Sequence, residues 1–243
     1  MTKEYDHENT FARIYESNFW SGMGSPRSGT GSTREAAKPY VDQVRKFIDS
    51  HKIQSVLDIG HGDWEIWGDY RFANVDYVGV DVYERLTNEL QIKFGTNGVQ
   101  FLPRNAVKDD LPLAQLCITK DVLQHLPTTE IKIIISKISR YQYLIICNDF
   151  YKFEMRDSIR AARRFISIRE RLSKIQQRKS PFFWKLRRTN SEIQIGDHRC
   201  LDFDKPVFSD LLITHRLKQT FDFDGKDNKR PNLIKRMYFY EKI

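Results

Sequence analysis

Residues 56–67 read VLDIGHGDWEIW. An apolar run that ends in an acid and then Gly-x-Gly is the pattern of a buried parallel strand whose carboxyl end turns tightly beneath a ligand. Gly60 and Gly62 carry no Cβ, so the backbone can approach that ligand closely. A second run, YVGVDV at 77–82, ends in Asp81 and Val82. It lies about twenty residues further on, where an acid can accept from both hydroxyls of a ribose. Strand, Gly-x-Gly turn and acid together point to an adenosine-type ligand. The continuation decides which one. After Gly62 come Asp63 and Trp64, with no further glycine before Gly68. A dinucleotide needs its pyrophosphate at a helix N-terminus, with a third glycine for close packing. A bulky, acidic turn suits a ligand with no phosphate and a cationic sulfonium, near which Asp58, Asp63 or the indole of Trp64 would be favourable. S-adenosylmethionine therefore fits better than a nicotinamide dinucleotide. Taken singly, Trp64 and Trp67 read more simply as core.

The surrounding chain alternates strands and helices. Short apolar runs at 55–60, 77–82, 99–107, 116–119 and 143–150 read as buried strands, and helical patterns occupy 34–50, 83–94 and 129–140. Two closing strands, 216–224 and 236–243, are joined by a polar loop. The expectation is an α/β fold: one domain over 1–243, with a mostly parallel sheet covered by helices on both faces. Residues 1–33 would cover the cofactor. Residues 151–213 would form a basic insertion between the fifth and sixth strands, built on a long helix at 154–179 with apolar positions at Phe165, Ile168, Leu172 and Ile175.

Composition sets the class of partner. Hydrophobic content of 40% and charged content of 30% in 243 residues describe a globular chain able to bury a core. The net charge of +8 is concentrated. Residues 150–190 hold thirteen Lys/Arg against three Asp/Glu, so this one segment carries +10 and the remainder −2. Such a block suits phosphate, nucleic acid or an anionic membrane surface, or is simply a solvated helix face. Cys117, Cys147 and Cys200 are odd in number and lack C-x-x-C spacing, which fits reduced thiols. The polar start MTKEYDHENTF has no apolar stretch of the secretory kind. A cytoplasmic protein is expected, with contact to the inner membrane face through the basic helix as an option.

The ordered series VLDIGHGD, YVGVDV, NAVKDDLP (105–112), ITKDVLQHLP (118–127) and YLIICNDF (143–150) resembles the motif series of the class I S-adenosylmethionine-dependent methyltransferases. The resemblance covers roughly 34–150 and 214–243 and implies that family's seven-stranded Rossmann-like sheet, with an antiparallel hairpin at its end. It also implies contacts from Asp58, Gly60 and Gly62 to the methionine part, from Asp81 and Val82 to the ribose, and from Asn105 and Ala106 to the adenine. Lys120, at the end of the fourth strand, would border the same site. At the N-terminus, NFWSGMGSPRSGTGST (18–33) and, later, SEIQIGDHRCLDFDKPVF (191–208) are similar to a branch that methylates sugars of surface glycans. Within the first of these, Trp20, Ser28, Gly29, Gly31 and Ser32 would clasp the cofactor, since such a loop presents N–H and hydroxyl groups to a carboxylate.

Methylating a hydroxyl requires removal of its proton. KDVLQH places Asp121 and His125 four apart, so that either could be the base, with Asp149 at the end of the fifth strand as another. DVLQH also resembles, with changes, the E-x-x-E-H pattern with which some class I O-methyltransferases hold a divalent metal. Asp121, His125 and His198 would then be ligands for an ion such as Mg2+. On the acceptor side, Arg163, Arg164, Trp184, His198 and Arg199 are candidates for an anionic or lipid-linked saccharide. The expected function is O-methylation of a sugar in a surface glycan or its precursor. The alternatives are an RNA methyltransferase using the basic segment, or a non-catalytic S-adenosylmethionine-binding protein.

Overall fold

The computed structural model describes all residues except 1–5, 21–25, 69, 71, 73, 153–188, 206 and 226–232. Four helices are described: α1 His7–Glu16, α2 Arg34–His51, α3 Glu84–Phe94 and α4 Thr128–Ile138. The strands are β1 Ser55–Ile59, β2 Asp76–Asp81, β3 Val99–Pro103, β4 Leu116–Lys120, β5 Tyr143–Tyr151, β6 His215–Phe223 and β7 Leu233–Lys242. They form one sheet in the order β3-β2-β1-β4-β5-β7-β6. The first five pair in parallel, and β7 runs antiparallel to both β5 and β6.

Both faces of this sheet are covered, and the alternation of its strands shows how. On one face Val56, Ile118, Ile145, Met237 and Phe239 pack with Tyr40, Val44 and Ile48 of α2 and Leu86 and Leu90 of α3. On the other, Leu57, Cys117, Leu144, Ile146 and Tyr238 meet Ile131, Ile134, Ile135 and Ile138 of α4. Each such side chain contributes about 1.5–3 kcal/mol when fully buried. Helix α2 starts where the Thr33 hydroxyl accepts from Ala36 N–H (3.2 Å), and it ends at Lys52 in the left-handed region. All three cysteines are buried and unbridged.

Some boundaries differ from the sequence reading. The third strand stops at Pro103 because the Asn105 carboxamide oxygen turns back to accept the N–H groups of Val107 (2.9 Å) and Lys108 (3.3 Å). Helix α1 was not anticipated as a helix. It is capped by Asp6, whose side chain accepts from Asn9 N–H (3.1 Å). The helix expected at 154–179 lies outside the described residues. No helix among the described residues is long and apolar enough to cross a membrane.

The strand order reverses beside β1, since β2 and β3 lie to one side and β4 and β5 to the other. The carboxyl ends of β1 and β4 therefore open a crevice, which is where ligands of open α/β sheets bind.

Candidate active site

The turn after β1 explains its own composition. Gly60 (φ +76°) and Gly62 (φ +58°) are left-handed, and a side chain on them would strike Val122 and Ser28 Oγ respectively. Asp58 is buried, and its Oδ2 accepts from the indole N–H of Trp67 (3.1 Å) and the hydroxyl of Tyr77 (2.8 Å). Burial pushes its carboxyl upward in pKa, against the lowering effect of those hydrogen bonds. The second tryptophan is thus the partner of the strand-terminal acid. Trp64 has a different fate. It is buried among Phe94 (5.0 Å between centroids), Phe101 (5.1 Å), Tyr77 and Phe72, and does not border the crevice. Its assignment as a cofactor contact is corrected to core packing: an indole is large enough to fill the space under a turn that lacks a third glycine.

Above this turn lies a cavity of about 580 Å3. Asp81 closes one wall, accepting from Gly62 N–H (3.2 Å) and Tyr83 N–H (3.1 Å) through different oxygens. A carboxylate has about four acceptor positions, so two remain for a pair of hydroxyls. The N-terminal segment forms the roof. Ser28 N–H donates to Asp63 Oδ2 (3.1 Å), and Asp63 N–H donates back to Ser28 Oγ (2.9 Å). Lys120 Nζ donates to the Gly31 carbonyl (3.1 Å). Tyr15 of α1 stacks on Tyr83 (5.6 Å), and Trp20 lies over the His125 ring (4.7 Å). His7 contacts Glu130 of α4 (2.9 Å) and so ties the start of α1 to the body. The Asn105 carbonyl is committed to its own turn, so its amide NH2 is what remains for a base edge.

At the far end of the cavity the charged groups converge. Lys120 Nζ meets Asp121 Oδ2 (2.5 Å), and Lys235 Nζ bridges Asp121 Oδ1 and Asp149 Oδ1 (2.6 Å each). His198 Nε2 meets Asp149 Oδ2 (2.6 Å). Because a carboxylate only accepts, Nε2 carries a proton in this contact. Burial alone would raise both aspartates in pKa. The two ammonium groups at Asp121, and Lys235 with His198 at Asp149, outweigh it and hold both below the usual carboxylate range. His125 is pushed down to about 4 by burial and by neighbouring His198. Its Nδ1–H donates to the Asp197 carbonyl (2.8 Å), and its Nε2 faces the Gln124 amide nitrogen (3.4 Å). Gln124 Oε1 in turn accepts from Asp149 N–H (2.7 Å).

Solved structures share this architecture. Magnesium protoporphyrin IX methyltransferase (ChlM) of Synechocystis PCC 6803, with bound SAH, superposes with a TM-score of 0.57 over 97% of this chain and 95% of its own, at 15% identity. Coclaurine N-methyltransferase, bound to N-methylheliamine and SAH, gives 0.54 over 83% and 70%, at 9% identity. The N-methyltransferase NodS of Bradyrhizobium japonicum WM9 gives 0.50 over 84% and 94%, also at 9%. The chain has the class I methyltransferase fold. No family model and no curated protein matches its sequence.

In this methyltransferase fold the expected cofactor residues, Trp64 apart, line one cavity: Trp20 and the 28–32 loop from the roof, Asp58, Gly60, Gly62 and Asp63 from the first turn, and Asp81, Val82, Asn105, Ala106 and Lys120 from the later ones. Asp121, His125, Asp149 and His198 line its other end. Three expectations are corrected. Asp121 is a poor base because two lysines face its carboxylate, and His125 is a poor one because both ring nitrogens are engaged. Arg199 is fully buried, donating to the Leu126 carbonyl (2.6 Å), the Thr128 hydroxyl (2.9 Å) and the Ser191 carbonyl. It pins the 191–200 segment to α4 and is not available to a substrate. The metal ligand set does not fit either. Among the described residues no three His, Cys, Asp or Glu converge on one point, and an ammonium stands between Asp121 and Asp149. Arg163, Arg164 and Trp184 lie outside the described residues. The sequence reading missed Lys235 and Tyr15. Lys235 had a signal, since it shares a strand face with Met237 and Phe239, which marks it as an inward-pointing lysine.

Proposed function

We propose that the chain is an S-adenosylmethionine-dependent O-methyltransferase whose acceptor is a sugar hydroxyl, in a surface glycan or its precursor. The observation that carries it is the His198–Asp149 pair, 2.6 Å apart, on the wall of a cavity whose other end has the acid, turn and roof for an adenosine. When bound, S-adenosylmethionine supplies an electrophilic methyl group on a sulfonium. The carboxylates of Asp58, Asp63 and Asp81 at the first turn favour that charge over a pyrophosphate. Asp81 offers its two remaining acceptor positions to the ribose, and the 28–32 loop excludes water from above.

On the acceptor side His198 Nδ1 would take the proton of the hydroxyl, whose oxygen would gain the methyl carbon as the bond from that carbon to sulfur breaks and a neutral thioether leaves. Asp149 holds the imidazole in the required tautomer and accommodates the positive charge it acquires. Support for a sugar comes from convergence. The two segments whose residues resemble the glycan-modifying branch meet at this one place, Trp20 and 28–32 from the first and Gly196 to His198 from the second. Gly196 N–H donates to the His125 carbonyl (2.9 Å), and Trp20 lies over that same histidine. An indole on the wall of the same cavity suits the C–H face of a pyranose.

The test is transfer from methyl-labelled S-adenosylmethionine into the glycan, RNA and small-molecule fractions of a host lysate. Label is expected in the glycan fraction, reduced about 10²–10⁴-fold in His198→Asn. Label in RNA would replace the acceptor class. Cofactor binding with no label in any fraction would leave a non-catalytic binding protein.

A further inference from the structure

The metal-holding pattern that DVLQH resembles has acids at two positions, which here are Asp121 and Gln124; the second acid facing Asp121 is instead Asp149, and a cation from another strand stands between them. Lys235 enters from β7, directly opposite Asp149 in the β5–β7 register, and is buried to 7% exposure. Its Nζ makes the same 2.6 Å contact to Asp121 Oδ1 and to Asp149 Oδ1. Magnesium would sit at about 2.1 Å from such oxygens; an ammonium makes the same bridge at hydrogen-bond length. Each Asp149 oxygen is thereby committed, Oδ1 to Lys235 and Oδ2 to His198, which fixes the carboxylate plane and the imidazole with it. Asp121 has a positive φ (+60°), a backbone conformation that aspartate adopts more readily than most side chains. Its N–H donates to the Cys147 carbonyl (2.9 Å), and its carboxylate lies between the two ammonium groups. Gly31 stands over the bridge; a Cβ there would lie 3.7 Å from both Lys235 Nζ and Asp121 Oδ2.

We propose that Lys235 is a positioning residue: its ammonium is the fixed cation of the acceptor site, takes the place between Asp121 and Asp149 that a divalent metal would need, and through Asp149 orients His198. This rests on the O-methyltransferase reading for its purpose but not for its test. Lys235 donates two N–H bonds to the carboxylates, and the residue lines the cavity.

Two measurements need no acceptor. Manganese binding, followed by the loss of the free-ion EPR signal at about 1 mM MnCl2, should be absent in the parent and appear in Lys235→Ala, where the facing carboxylates of Asp121 and Asp149 lose the ammonium between them. The nitrogen-15 signals of His198 should report a single Nε2–H tautomer in the parent and in Lys235→Arg, and a mixture in Lys235→Met. The double variant Asp121→Asn/Lys235→Met removes one charge of each sign and serves where the single variant fails to fold; it too should lose the single tautomer. In methyl transfer to the labelled lysate fraction, Lys235→Met should lower kcat at least tenfold and Lys235→Arg should recover most of it, with EDTA without effect on the parent. Stoichiometric manganese binding by the parent, or a His198 tautomer indifferent to Lys235, would overturn the proposal even if methyl transfer is found. A parent that transfers no methyl group while the tautomer follows Lys235 would instead remove the reading of function and leave the positioning role standing.

Discussion

Asp58 shows what one residue can decide. It is a buried acid whose pKa is raised by burial, so the folded protein binds its proton more readily than the unfolded chain does. Its charged form therefore costs stability above the ordinary aspartate range, and the N–H of Trp67 and hydroxyl of Tyr77 limit that cost. Trp67→Phe keeps most of the packing and deletes one donor to a charged acceptor, a loss of about 1.5–3 kcal/mol. The destabilisation should be largest near neutral pH and shrink as the pH falls into the acid range, where Asp58 becomes protonated and needs the donor less. Urea midpoints measured at several pH values check this; a loss independent of pH would mean that the indole acts through packing alone. At this scale the residues of the first turn were legible in the sequence because glycines and a strand-ending acid occur together for few other reasons. The roles of Asp121 and His198 were not. A local spacing of four suggests that Asp121 and His125 share a function, whereas the partner of Asp121, Lys235, lies 114 residues away and the partner of His198, Asp149, lies 49 residues away, distances over which spacing carries no information.

The elements were legible in proportion to their hydrophobic contrast. Strands β1, β2, β4 and β5 are short apolar runs bounded by turns, and they were placed to within one or two residues. Helix α1 was not recognised, because HENTFARIYE is mostly polar and only Phe11, Tyr15 and their neighbours make a stripe. That helix is recruited by tertiary contacts: Tyr15 on Tyr83, His7 on Glu130, and the reciprocal Ser28–Asp63 hydrogen bonds that follow it. The roof it belongs to is therefore sensitive to the turn below. Gly62→Ala introduces a Cβ into the space held by Ser28 Oγ and puts a side chain in a left-handed conformation. Affinity for SAH should fall at least tenfold by calorimetry, whereas Gly98→Ala, where a Cβ meets nothing closer than 3.9 Å, should leave it within about twofold. Equal affinities for the two variants would show that the roof closes without the clasp.

Across the whole molecule, the cavity is a product of strand order. Its walls come from the ends of β1, β2, β3, β4, β5 and β7 together with a segment that precedes all of them, so no contiguous piece of chain contains a binding site. A ligand that fits this cavity must bind the folded chain and not the unfolded one, and it should stabilise the fold by mass action. At SAH about 100 times its dissociation constant the gain is about 2.7 kcal/mol. For a chain of this size each kcal/mol moves Tm by roughly 2–4 °C, so a rise of about 5–10 °C is expected in a thermal melt. NADH at the same concentration should produce none, because its pyrophosphate would meet the acidic turn of Asp58 and Asp63 where a third glycine and a helix N-terminus are required. A shift with NADH and not with SAH would overturn the reading of the first turn while leaving the sheet order untouched, since one strand order can serve either cofactor and the side chains at its switch point make the choice.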